Sequence, residues 1–139
     1  MPECVFCQLA REPSRVGHRI ADSEHALALL DLRPLRRGHS LVLPKRHVTD
    51  LSEISPEAFG ALMSLVREVS GLLRRRLGTT GENLFVASGP GSEQSVFHLH
   101  VHVIPRLPDD DLRWNDWWES KATPADPAEL ELLARSLRG

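Results

Sequence analysis

Three histidines alternate with apolar residues in one short stretch, and this pattern limits the fold more than any other feature of the chain. His98, His100 and His102 occupy every second position between Gln94 and Arg106. A period of two predicts a half-buried β-strand that presents all three imidazoles on one face. Neutral imidazoles this close together can bind a metal ion, or they can perform nucleophilic or acid–base chemistry near neutral pH. A polar strand face that is rich in histidine by chance is the alternative without a function.

The length of 139 residues predicts one domain, 1–139, with a core large enough to fold without cross-links. Its 17 basic residues are outnumbered by 19 acidic ones, so no net basic charge favours binding to nucleic acid. We find no apolar run of about 20 residues and no signal-peptide pattern, which predicts a cytoplasmic protein without a membrane partner. Cys4 and Cys7 then indicate metal ligands, redox thiols, or free thiols near a frayed terminus.

Apolar runs predict three further strands, at 24–30, 40–43 and 83–87. The first two flank a short connection that contains Pro34, and we expect them to pair antiparallel. A glycine- and serine-rich turn follows residue 87. Such a turn suits a hairpin, so strand 83–87 is the expected neighbour of the histidine strand.

A long amphipathic helix is predicted to begin at Ser55-Pro56 and to end at Gly78. A serine N-cap followed by proline is a helix start, and glycine after three arginines is a helix stop. The arginines could bind phosphate, or they could be the solvated end of the helix. The residues expected to form its buried stripe are Phe59, Leu62, Val66, Val69 and Leu73.

The C-terminal region, 107–139, is predicted to contain a tryptophan-rich loop and one helix. Trp114, Trp117 and Trp118 crowd into the loop. They could stack on a base or fill a groove in a partner, or they could cover the edge of the core. The helix is expected to begin at Asp126-Pro127 and to bury a stripe formed by Leu130, Leu133 and Leu137.

The stretch from His98 to Ile104 resembles the signature of the histidine triad (HIT) family. Two further segments, 31–34 and 38–47, match a second block of that family in order and spacing, and the Cys4–Cys7 pair is common among its bacterial members. The resemblance covers residues 3–106 and makes 1–106 the family core. It implies an α+β fold with a five-stranded antiparallel sheet and two main helices, assembled as a homodimer.

The resemblance also implies a reaction at the α-phosphorus of a nucleotide, with adenine the expected base. Substrates of the family include nucleoside phosphoramidates and dinucleoside polyphosphates. His100 would be the nucleophile, because an imidazole can form a covalent nucleotidyl-histidine that water later hydrolyses. The implied catalytic residues are His98, His100, His102 and Ser95. The implied nucleotide contacts are Asp31, Leu32, His39, Gln94, Ser95, His100 and His102.

A structural zinc ion is the implied cofactor, and no organic cofactor is expected. Its ligands would be Cys4, Cys7, His47 and His98, a closed set without an open position for catalysis. A different hypothesis has His98, His100 and His102 holding a catalytic zinc ion together.

Two positions depart from the family pattern. Ala87 stands where nucleotide-binding members carry an amide, and Glu93 stands where they carry glycine. Loss of an amide donor and gain of a carboxylate would weaken phosphate binding. A phosphorylase or nucleotidyltransferase with the same intermediate, and a nucleotide-binding module without catalysis, therefore stay open as alternatives. Recognition of duplex nucleic acid is not expected.

Overall fold

Five antiparallel strands form one sheet in the computed structural model, which describes residues 3–139. The strands are β1 Arg19–Asp22, β2 Ala26–Leu30, β3 Ser40–Pro44, β4 Gly81–Phe85 and β5 Val101–Arg106. Their order across the sheet is β1-β2-β3-β5-β4, so β1 and β4 are its edges. The predicted α+β fold is confirmed, as are the antiparallel pairs β2–β3 and β4–β5.

Four helices accompany the sheet, two more than the main helices predicted. They are α1 Val5–Arg11, α2 Pro56–Leu77, α3 Trp114–Lys121 and α4 Pro127–Arg138, and one turn of 3-10 helix covers Pro13–Arg15. Helix α1 was not predicted, because its seven residues are too few to show a helical period. Among the described residues, no helix is both long enough and apolar enough to cross a membrane.

Helix α2 begins and ends where its signals predicted. The Ser55 hydroxyl accepts a hydrogen bond from the backbone N–H of Ala58 at 3.1 Å, which satisfies one free donor of the first turn. Gly78 ends the helix with φ 68°, a left-handed conformation that glycine adopts without strain. The buried stripe consists of Leu62, Leu65, Val66, Val69 and Leu73. Phe59, predicted to belong to it, is exposed instead, because it lies at the edge of the apolar face in the first turn.

The sheet separates two apolar clusters, and this separation places the histidines. Helix α2 covers one face, where its stripe packs on Val42, Val101 and Val103. On the opposite face Phe6 from α1 packs with three leucines of β2 and β3. Because side chains alternate along β5, His102 points to the α1 face of the sheet. Each fully buried leucine or valine contributes about 1.5–3 kcal/mol, so both clusters hold this arrangement.

The histidine strand is shorter than predicted. Strand β5 begins at Val101, so His98 and His100 lie in the segment before it. The physical reason is the partner of this segment, because the N–H of Leu99 donates to the carbonyl of Val48 in the loop after β3 at 2.8 Å. The ladder with β3 starts only at Val101.

Residues from Asp109 to Gly139 form a second compact unit, and the first unit ends at Pro108. Within the second unit the tryptophans lie on helix α3, so the predicted loop was wrong. Helix α4 begins at its predicted cap, where the Asp126 carboxylate accepts from the N–H of Ala128 at 3.1 Å. The predicted buried stripe of α4 was also wrong, because each of its leucines is more than half exposed in the single chain: Leu130, Leu133 and Leu137.

Candidate active site and metal site

His100 is held in one tautomer by the backbone. Its Nδ1 lies 2.8 Å from the carbonyl oxygen of His98, and the ring is only 5% exposed. A carbonyl can only accept, so Nδ1 carries the hydrogen and donates it. The Nε2 atom of His100 therefore keeps a free lone pair, as a nucleophile or a general base requires.

A chain of hydrogen bonds sets the proton on His102. The N–H of Leu35 donates to Nδ1 of His39 at 3.1 Å, so Nε2 of His39 must carry that ring's hydrogen. This Nε2 lies 2.9 Å from Nδ1 of His102 and donates to it. The neutral ring of His102 consequently carries its hydrogen on Nε2. The ring centroids of His100 and His102 lie 5.1 Å apart, so an imidazole with a free Nε2 lone pair and an imidazole with an Nε2–H donor lie side by side.

Burial keeps the imidazoles of His39 and His102 neutral. It lowers the pKa of His102 to about 4, with a further contribution from the imidazoles of His100 and His39. Burial also lowers the pKa of His39. The carboxylate of Asp31 opposes both shifts, and its Oδ2 lies 3.4 Å from Nε2 of His39. At neutral pH His102 is therefore a neutral hydrogen-bond donor.

This depressed pKa makes the fold sensitive to acid. Above pH 6.5 the ring of His102 is neutral in both the folded and the unfolded chain and adds no pH dependence. Below pH 6.5 the unfolded chain takes up the proton first, so stability falls as the pH approaches about 4. The shift corresponds to a loss of about 3 kcal/mol. We expect His102→Gln to flatten the pH dependence of urea unfolding over this range. Identical slopes for the variant and the wild type would contradict this assignment.

Four potential metal ligands converge on His98, two residues before His100. The Sγ atom of Cys7 lies 3.3 Å from Nδ1 of His47 and 3.5 Å from Nδ1 of His98, and the Sγ of Cys4 lies 3.4 Å from the same Nδ1 of His98. All four ligand atoms lie within 4.8 Å of one another. A tetrahedral zinc site with its usual bond lengths separates sulfur and nitrogen ligands by about 3.5 Å. These residues therefore fit a tetrahedral metal ion.

The ring of His98 is prepared for such a role. Its Nε2–H donates to the carbonyl of Pro44 at 2.7 Å, which leaves the lone pair on Nδ1 facing the cysteines. Burial lowers the pKa of His98, so the ring stays neutral as a metal ligand must be. A hydrogen bond from a ligating imidazole to a carbonyl is the usual support for metal-bound histidine.

The histidines at 98, 100 and 102 do not form a metal site of their own. Nδ1 of His98 faces the cysteines, Nδ1 of His100 donates to a carbonyl, and Nδ1 of His102 accepts from His39. Among the described residues the groups able to hold a metal are the four-residue set and the set Asp31, His39 and His102. In the second set the lone pair on Nδ1 of His102 already accepts the hydrogen of Nε2 of His39, so it does not face a metal ion. The hypothesis of a catalytic zinc ion on the three alternating histidines was therefore wrong.

The side chain of Gln94 is engaged within the protein. Its Oε1 accepts from the N–H of Gly89 at 2.9 Å, and its Nε2 donates to the carbonyls of Thr49 at 2.7 Å and Val96 at 3.0 Å. These bonds use both amide hydrogens, so the predicted contact between this side chain and a nucleotide has no donor left. Gln94 instead ties the loop before the histidine segment to the loop after β3.

The other predicted nucleotide contacts lie at the surface or around the hydrogen-bonded pair His39 and His102. Ser95 is exposed beside the histidine segment, and Leu32 is 79% exposed at the start of the loop between β2 and β3. Asp31 precedes it, with Oδ1 accepting from the N–H of Arg33 at 2.8 Å. The fold brings four of the predicted contacts together: Asp31, His39, His100 and His102.

Glu93 adopts a conformation that favours glycine. Its φ is 63°, the single positive value among non-glycine residues in the described part of the chain. A side chain in this region costs about 1 kcal/mol or more, which explains why the resemblance places glycine here. We expect Glu93→Gly to raise the free energy of unfolding by up to about 1 kcal/mol, measured in urea. The control Glu12→Gly, at an exposed residue with φ −132°, should lower it. A loss of stability in Glu93→Gly equal to that in the control would contradict the strain.

Phe6 is a site residue that sequence reasoning missed. Its ring is buried and meets His100 edge-on at 5.1 Å and His98 at 5.7 Å. The only available signal was an aromatic residue between two cysteines, which is too short a pattern to predict a contact across more than 90 residues.

The chain is similar to several known proteins. The family model for the HIT domain matches residues 13–109. The chain is 33% identical to the adenylylsulfatase HINT3 of Arabidopsis thaliana over 97% of its own length and 66% of that protein. It is 29% identical to the adenosine 5'-monophosphoramidase hnt1 of Schizosaccharomyces pombe, covering 96% of this chain and 95% of that one. A zinc-bound histidine triad family protein from Mycobacterium smegmatis has a similar structure, with a TM-score of 0.74, 35% identity and 81% of each chain covered.

Proposed function

This chain belongs to the HIT family, and on that premise we propose that it is a nucleotidyl hydrolase that releases AMP from adenosine nucleotides with a leaving group on the α-phosphorus. One observation carries the proposal, the free lone pair on Nε2 of His100 beside the Nε2–H of His102. The names of the plant and fission-yeast relatives, an adenylylsulfatase and an adenosine 5'-monophosphoramidase, support adenosine nucleotides as the substrate class. The plant protein is longer, since the match spans 66% of it.

The reaction would proceed in two displacements. In the first, Nε2 of His100 attacks the α-phosphorus, a P–N bond forms, and the bond to the leaving group breaks with its electron pair on that group. The ring of His100 becomes positively charged, and the hydrogen bond from its Nδ1–H to the His98 carbonyl would stabilise that charge. In the second, water attacks phosphorus and loses a proton to solvent, the P–N bond breaks with its electron pair returning to Nε2 of His100, and AMP leaves. His102, as a neutral donor, would hold a non-bridging phosphate oxygen in both steps.

The remaining polar residues would bind and position the nucleotide. Asp31 has carboxylate lone pairs beyond the one used by Arg33, and these suit ribose hydroxyls. Leu32 would border the sugar or base, and the hydroxyl of Ser95 would donate to the phosphate or the leaving group. Gln94 would act through the loop that it holds rather than by touching substrate.

We also propose that the set formed by Cys4, Cys7, His47 and His98 holds a structural zinc ion. The mixed sulfur and nitrogen ligands, their spacing and the hydrogen-bonded His98 all suit tetrahedral zinc. The zinc-bound relative from M. smegmatis supports the choice of metal. Four protein ligands leave no open position, so zinc would stabilise the fold and would not activate water.

A homodimer is supported by the edge strand β4. Its end exposes three neighbouring apolar side chains, Leu84, Phe85 and Val86. An apolar edge strand invites pairing with another strand. We expect Leu84→Lys to convert a dimer into a monomer in light scattering, because a lysine cannot be buried between paired edges. Leu51→Lys, at a loop residue that is equally exposed, should leave the mass unchanged. A monomeric wild type would contradict the proposal.

The function is tested by incubating the zinc-loaded protein with an adenosine phosphoramidate and with diadenosine tetraphosphate. Release of AMP would support the hydrolase. With inorganic phosphate present, formation of ADP would favour the phosphorylase alternative. Tight AMP binding without any product would contradict both and would favour a binding module. Substitution of Ala87 by an amide residue and of Glu93 by glycine would then be the first changes to test.

A further inference from the structure

Phe6 stands between two metal ligands and touches the catalytic histidine. It lies within the Cys4–Cys7 segment on α1 and is 7% exposed. Its ring meets His100 edge-on, with ring centroids 5.1 Å apart and planes at 75°. The same ring meets His98 at 5.7 Å and 86°. One aromatic side chain therefore contacts both the metal-ligating and the nucleophilic imidazole.

The helix that carries Phe6 has little stability of its own. It is seven residues long, and its N-cap residue, Cys4, makes no side-chain capping hydrogen bond. Helices shorter than about 12 residues are marginal without tertiary contacts. The contacts of α1 include the apolar cluster around Phe6 and the approach of Cys4 and Cys7 to the two histidines. A metal ion that held the two sulfurs would therefore add to the contacts that fix the position of Phe6.

The contact also restricts how the ring of His100 can move. The hydrogen bond from Nδ1 to the His98 carbonyl sets the tautomer, and it still permits the ring to tilt about that bond. Phe6 packs against the ring from the α1 side, while His102 contacts it at 5.1 Å. Displacement of a nucleophile by about 1 Å can reduce a rate about a hundredfold.

We propose that Phe6 is a positioning residue that couples the metal site to His100: occupancy of the Cys4–Cys7 site clamps Phe6 on the ring, and the clamped ring aims Nε2. The consequence for turnover rests on the proposed nucleotidyl hydrolase, whereas the consequence for the ring of His100 does not. A competing route runs from the metal through His98 itself, because the carbonyl of His98 accepts from His100.

The test compares zinc-loaded and chelator-treated wild type with Phe6→Leu, which keeps the apolar burial but removes the ring edge. Zinc content is measured first for every sample. Ring-nitrogen NMR then reports the tautomer and mobility of His100. We expect one rigid Nδ1–H tautomer in the zinc-loaded wild type. The ring should become mobile both in the chelated wild type and in zinc-loaded Phe6→Leu. Val5→Ala, an exposed neighbour on the same helix, should behave as wild type.

Turnover gives a second readout. Chelation should lower kcat of the wild type about tenfold to a hundredfold with little change in KM. Phe6→Leu should show most of this loss with zinc still bound, and chelation should then reduce its kcat by less than about twofold, since the two changes act through one contact. If chelation lowers kcat of Phe6→Leu by the wild-type factor, the route runs through His98 and the inference is wrong. A raised KM with unchanged kcat would make Phe6 a substrate contact and would also overturn it.

The failure of this inference differs from that of the proposed function. Absence of turnover in zinc-loaded wild type would refute the hydrolase, and the NMR comparison would still decide the inference. If Phe6→Leu did not bind zinc, Phe6→Met would supply a second apolar side chain without a ring. A rigid His100 ring in a zinc-loaded variant of either kind would show that Phe6 does not position it.

Discussion

Replacement of His100 by alanine is expected to abolish AMP release, with a fall in rate of at least about a thousandfold, while zinc remains bound. The loss follows because Nε2 of His100 is the proposed attacking atom, and removal of a nucleophile commonly has effects of this size or larger. Zinc stays because Nδ1 of His100 donates to a carbonyl and does not face the ligand set. The measurements are single-turnover release of AMP and zinc content by mass spectrometry.

A matched control is His25→Ala, which removes an exposed imidazole that lies outside the site. Its rate should equal that of the wild type. Trapping of a nucleotidyl adduct on His100 in wild type quenched with denaturant at alkaline pH, where the P–N bond survives, would further support the covalent step. Loss of zinc together with activity in His100→Ala would contradict the separation of the two sites. Retained activity would contradict the assignment of the nucleophile.

Replacement of Cys7 by serine is expected to remove zinc and to lower the stability of the fold. A ligand present at about 100 to 1,000 times its dissociation constant stabilises the folded state by about 3 to 4 kcal/mol, and this contribution is lost with the site. Cys7 is the more informative cysteine, because its sulfur approaches both His47 and His98. Burial raises the pKa of its thiol, so a bound cation is needed to hold it as a thiolate. Urea unfolding with and without zinc measures the effect.

The control for this prediction is the comparison of both proteins without metal. Wild type and Cys7→Ser should have nearly the same stability in chelator, because they differ mainly in the metal. Gln8→Ala, at an exposed neighbour on α1, should keep the zinc-dependent gain in stability. Equal stability of wild type with and without zinc would show that the four residues do not hold a structural metal.

Features that depend on neighbouring residues in the chain were predicted correctly from the sequence. The pairing of β4 with β5 and the cap and stop of α2 were predicted, because each depends on residues close together in the chain. Alternation also placed the three imidazoles near one another. The two departures at Ala87 and Glu93 were visible in the sequence, whereas the backbone strain at Glu93 became visible only in its dihedral angle.

Three expectations from the sequence lacked information about contacts with other parts of the chain. The histidine strand was predicted from alternation alone, but backbone pairing decides where a strand begins, and Leu99 pairs with a loop residue instead. Gln94 was expected to reach a nucleotide, but its amide is used by three backbone groups from two loops. The leucines of α4 have a helical period, but a period predicts burial only when another surface covers it.

The sequence by itself determined the family, the order and type of the main elements, and the residue types that carry the chemistry. These follow from short-range physics, because caps, turns and side-chain periods act between residues a few positions apart. Only the tertiary structure decided which nitrogen of each imidazole carries the hydrogen. It also decided that Phe6 packs against His100. These contacts join residues up to 94 positions apart, and the packing of α1 and two loops against the sheet sets their geometry.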